Sequence, residues 1–136
     1  MTVVFDRVVQ TWRYLTVDRG DERHAQRTAE ILRRLGADAD LVLAGLLHDR
    51  AKPAETRLWH RIAAVLLEAL APGLRRRIAA GDGTFARYLD HAARGAELAR
   101  HEGRSERVVR LIARHHDRPA DADEALLARA DREAMP

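Results

Sequence analysis

Apolar residues recur along this chain at three- and four-residue spacing, the period of helices that bury one face. Val4, Val8, Trp12 and Leu15 outline a first helix, which Gly20 breaks. A second runs from Asp21 to Leu35, burying Ala25, Ala29 and Leu32, with Gly36 as its C-terminal stop. Asp38 or Asp40 opens a third, DLVLAGLLHD, apolar nearly all round and therefore central. Pro53 suits the first turn of a fourth helix, which carries Leu58, Ile62, Val65 and Leu66 and ends before Pro72. GLRRRIAAGDG forms a short fifth element or a loop. Thr84 caps a sixth helix reaching about His101, and Ser105 a seventh running through His116. Asp121 with Glu124 gives a capping-box-like start to an eighth.

Composition agrees with this pattern. The chain is rich in Ala, Leu, Arg and Glu and has only 4% aromatic residues, a bias toward helix formers. The expectation is an all-α, compact bundle of about seven or eight helices, one domain over residues 1–136. Cysteine is absent, so neither a disulfide framework nor a thiolate metal site is available. The 24 basic residues face 21 acidic ones, a net charge of +3, and the pI near 10.1 reflects arginine acting on that small excess. This disfavours a nucleic-acid partner. No run approaches membrane-spanning length, so the expectation is a cytoplasmic protein with no membrane partner.

The ionisable residues then gain positions. His24 stands one turn before Thr28 on the inward edge of the second helix, and His48 and Asp49 end the central third. His91 follows Tyr88 by one turn and precedes Gly95, where a missing side chain allows close approach. Val108, Leu111 and Ile112 lead to His115 on one face, and Leu127 precedes Asp131 by four residues. His60, opposite its helix's apolar stripe, and His101, between Arg100 and Glu102, read as surface residues. An inward carboxylate costs several kcal/mol unless it is paired or coordinates a metal. Asp49 and Asp131 therefore need either arginine partners or an ion. Four inward histidines and two carboxylates form a nitrogen and oxygen donor set suited to iron, manganese or zinc.

With these residues in place, the chain resembles the HD-domain superfamily of metal-dependent phosphohydrolases. ERHAQRTAEIL resembles the family's first-histidine helix, and GLLHDRAK its His-Asp motif with a following lysine. HAARGAELA, LIARHHD and LLARADREA resemble three later elements, so the likeness covers residues 22 to 134 in order. The resemblance implies a metal set of His24, His48, Asp49 and Asp131, with His91 and His115 as further ligands of a two-metal branch. That branch includes HDIG-type proteins and diadenosine tetraphosphate hydrolases, and His116 is the alternative at the His115 position.

The resemblance also implies a reaction: hydrolysis of a nucleotide or related phosphate ester or anhydride through a metal-activated hydroxide. Asp49 would be the catalytic bridging ligand. Lys52, the one lysine in the chain, would act on the substrate phosphate. The cofactor is expected to be two metal ions, iron or manganese first, with zinc, cobalt, nickel or magnesium as alternatives. Arg50-Ala51 replaces the Ile-Gly of the HDIG branch, so Arg50 either binds a second phosphate or pairs with a surface acid. The acidic pair of guanosine tetraphosphate hydrolases is missing, and the chain is too short for the deoxynucleoside triphosphate triphosphohydrolases. Two alternatives remain: a non-catalytic nucleotide-binding or regulatory domain, and a di-iron oxygenase. The partner is a small phosphate compound, and homo-oligomerisation is left open.

Overall fold

A computed structural model of the chain describes residues 21–53 and 56–135. These residues form eight α-helices and no strand, as the apolar spacing requires. They are α1 (Asp21–Arg34), α2 (Ala39–Leu47), α3 (Leu58–Leu70), α4 (Pro72–Ala79), α5 (Thr84–Leu89), α6 (His91–His101), α7 (Glu106–Ala113) and α8 (Ala122–Glu133). The expected helix around Val4 to Leu15 lies outside the described residues. None of the described helices is long and apolar enough to cross a membrane.

The chain divides into two units. One holds Lys52–His91 and the other holds Ala92–Met135 with the described part of Arg19–Ala51. In the second unit α1 packs on α2 and α8, and α2 also packs on α7 and α8. Leu32, Leu41, Ala44, Leu111, Leu127 and Ala130 form one buried cluster, and Ala96, Ala99, Val108, Val109 and Ile112 another. Gly36 and Gly103 end α1 and α6 at φ of 79° and 75°, a left-handed conformation that a side chain would strain. In the first unit α3, α4 and α5 pack on one another, burying Ala64, Val65, Ala86 and Leu89. Pro72 opens α4, where its missing N–H costs nothing.

Three boundaries differ from the sequence reading. The fourth expected helix begins at Leu58 and not near Pro53, because Arg57 is extended and Thr56 folds back to bond the Pro53 carbonyl. The expected sixth helix is two, α5 and α6. Asp90 leaves helical geometry (φ −105°, ψ 13°), and the His91 ring donates Nδ1–H to the Tyr88 carbonyl at 2.6 Å. Gly83 caps α5, with Thr84 already helical. The seventh stops at Ala113, leaving His115 and His116 in the turn beyond it.

Candidate metal centre

The second unit gathers its ionisable side chains at the ends of its helices. Asp38 caps α2 by accepting the Leu41 N–H, and the apolar run that follows carries the chain through the interior to His48. His48 is wholly buried and stands at the C-cap, where helix carbonyls have lost their intrahelical partners. Its Nδ1 lies 2.7 Å from the Gly45 carbonyl. A carbonyl only accepts, so Nδ1 carries a proton and Nε2 faces the opposite way. There it meets Asp131 Oδ1 at 3.0 Å and Asp49 Oδ2 at 3.5 Å.

The other donors arrive from separate helices. Buried His24, on α1, places Nε2 2.6 Å from the same Asp131 oxygen, and Thr28 anchors that helix turn by donating to the His24 carbonyl. His115 repeats the His48 device. Its Nδ1 donates to the Ile112 carbonyl at 2.6 Å, and its Nε2 lies 3.4 Å from Asp49 Oδ1. The result is a continuous line, His24, Asp131, His48, Asp49, His115. The His48 ring is edge-on to those of His24 and His115, at centroid distances of 5.6 and 5.0 Å.

Charge in this line is strongly coupled. Burial alone would depress the His48 pKa, but Asp49, then Asp131 and the Gly45 carbonyl, outweigh it and hold the ring protonated up to about 9. Burial would raise the Asp131 carboxyl, but hydrogen bonds from His24 and His48 hold it well below the usual carboxylate range. Both aspartates therefore have histidine neighbours.

These residues fit a metal ion. His24, His48 and Asp49 offer donor atoms within 4.8 Å of one another. In two of the histidines a backbone carbonyl already fixes Nδ1–H, so that Nε2 is the atom left to ligate a metal once any proton on it is displaced. The donor set, nitrogen and carboxylate oxygen without thiolate, suits iron, manganese or zinc.

The remaining expected residues take various places. Arg50 pairs with Glu102 at 2.9 Å, one of its two expected roles. His116 is exposed, with its ring 4.0 Å from that of His115. Gly95 does admit a close neighbour: a Cβ there would lie 3.3 Å from Ile112 and 3.9 Å from the His48 carbonyl. Lys52 and His91 belong to the first unit, Lys52 half-buried and His91 buried. His101 is exposed, as expected.

His60 is a correction: it is buried and not on the surface. Because α3 starts at Leu58, His60 falls at the third helical position, and its Nδ1 accepts the Arg57 N–H at 2.8 Å. The residue missed in the sequence was Gly45. Its carbonyl orients His48, and a Cβ there would come within 2.6 Å of Leu32. Its signal was its place three residues before a histidine at a helix end.

No curated protein and no solved structure matches the chain. A family model does, the HD domain, over residues 22–135, which contain every residue of the line above. That family is characterised by divalent-metal binding and commonly by phosphohydrolase activity, in keeping with the donor set described. Matched over most of its length, the chain belongs to the HD-domain family.

Proposed function

We propose that this protein is a metal-dependent phosphohydrolase acting on a nucleotide or a related phosphate ester or anhydride. The observation that supports it most is the pair of carbonyl-locked histidines, His48 and His115, whose Nε2 atoms both face Asp49. His24, His48, Asp49, His115 and Asp131 would hold the metal. A divalent ion there would supply a Lewis acid for a phosphoryl oxygen and lower the pKa of a bound water. Asp49 presents one oxygen toward His48 and the other toward His115, the disposition of a bridging carboxylate. Asp131, held ionised by His24 and His48, keeps negative charge in a half-buried position where a cation would offset it. Lys52 follows the motif by three residues and would serve the substrate phosphate as a point charge.

The test joins metal analysis of protein expressed with iron or manganese to phosphate release across a panel of nucleotides, dinucleoside polyphosphates first. His48→Ala and Asp49→Ala should lose both metal and turnover. Lys52→Ala should keep its metal and raise KM or lower kcat/KM by about tenfold or more, the scale of one charge-assisted phosphate contact. Metal content per chain in His91→Ala against wild type tests whether a second ion is bound. Metal-loaded protein that releases phosphate from none of the panel would overturn the reading.

A further inference from the structure

The first unit carries a ring cluster that the metal chemistry does not use. Trp59, in the first turn of α3, is 55% exposed, in a chain with only six Phe, Trp and Tyr residues. Its indole nonetheless has a fixed backing. The His60 ring lies 3.8 Å away between centroids, tilted by 31°, and Phe85 of α5 lies 5.4 Å from Trp59 and 5.8 Å from His60. His60 is itself tied down through Nδ1 to the Arg57 N–H and is buried. Burial, with the nearby Arg57 charge, keeps it neutral by lowering its pKa. Two residues before the indole, the exposed Arg57 guanidinium has no acidic partner among the described residues.

We propose that this cluster is a nucleotide-base subsite, with the base stacked on the exposed side of Trp59 and Arg57 serving the attached phosphate. An indole backed by two further rings is pre-organised, so stacking a planar base on it costs little ordering entropy. Base stacking on aromatic side chains is tolerant of base identity, because every base has a π-face. A cation two residues before the indole, close enough to act on the His60 ring, adds the charge that a phosphorylated base requires and that a second copy of this surface would repel. The proposal rests on the phosphohydrolase reading for its substrate class.

Calorimetric titration of the full chain with adenosine 5′-monophosphate and with ribose 5-phosphate tests it, because neither probe requires turnover. Wild type should bind the nucleotide about tenfold more tightly than the sugar phosphate, the scale of one base stacked on an aromatic ring. Trp59→Phe should keep most of that preference, and Trp59→Leu, apolar but without a ring, should reduce it to about twofold or less. Arg57→Gln should weaken both probes together. Equal binding of the two probes by wild type would overturn the proposal, as would a preference unchanged in Trp59→Leu. So would self-association that Trp59→Leu abolishes in a protein with no base preference. A chain that shows the Trp59-dependent preference but releases no phosphate would sink the hydrolase reading and leave this one standing.

Discussion

At the scale of single residues, the candidate centre depends on which atoms lack side chains as much as on which carry them. Gly45 of α2 faces α1, and an added methyl would meet Leu32 Cδ1 at 2.6 Å and Thr28 Cγ2 at 3.4 Å. Both neighbours are wholly buried, so the Leu32 side chain must move within a packed core. Gly45→Ala should therefore cost about 1 to 3 kcal/mol by urea denaturation, the range for overpacking. Gly95→Ala, where the tightest contact is 3.3 Å to one methyl of Ile112, should cost less. The opposite order would show that the α1 crossing yields more easily than described. Such crowding is not legible in a pattern of apolar residues, because it depends on which two helix faces meet. Gly95 was flagged only because it follows a histidine by one turn. His60 was misread for a related reason: the face that α3 buries is His60, Arg61, Ala64 and Val65, which the stripe of large apolar residues does not mark.

At the scale of the elements, charged caps join the helix ends. Asp38 caps α2 and accepts from Arg107 of α7, which also reaches Asp123 at the start of α8. Asp121 caps α8 and pairs with Arg110, while Glu124 takes the Ala120 N–H and the Arg114 guanidinium. Their carboxyl pKa values are all lowered. Arg107 is the chief cause for Asp38, and the Glu124 N–H and the Ala120 N–H are the chief causes for Asp121 and Glu124. Carboxylates with folded pKa values below their unfolded ones stabilise fully above pH of about 4.5 and lose that contribution as pH falls through the folded values. Thermal melts should show Tm falling as pH is lowered from about 5 to 2, with a smaller fall in Asp38→Asn and Arg107→Gln, which start lower. An acid-insensitive Tm would remove these pairs as a source of stability. The caps were legible because Asp38, Ser105 and Asp121 precede apolar runs. The break at Asp90 was not, since neither glycine nor proline marks it and it depends on a side chain taking a helix carbonyl.

At the scale of the whole chain, the centre ties together residues that sequence distance keeps apart: His24 and Asp131 are 107 positions from each other. Helical phase turned both residues inward as candidate donors, but no periodicity foretells that the two meet. An ion held by His24, His48, Asp49, His115 and Asp131 would link α1 and α8 to the turns that follow α2 and α7. Since it would bind the folded chain, it should stabilise by about 2.7 kcal/mol at a free concentration one hundred times Kd. Removing it with a chelator should lower Tm in wild type and leave Tm unchanged in a folded Asp49→Ala or His48→Ala. Binding must also displace the proton that the metal-free site keeps on His48 up to about pH 9. Affinity should therefore rise with pH between about 6.5 and 9, by about tenfold per pH unit for each proton displaced, and level off above that range. Competition titrations against a calibrated chelator at several pH values measure that slope. A pH-independent affinity would mean that His48 is not displaced by metal. A Tm unaffected by chelation would mean that the cluster holds its helices together through its hydrogen bonds alone.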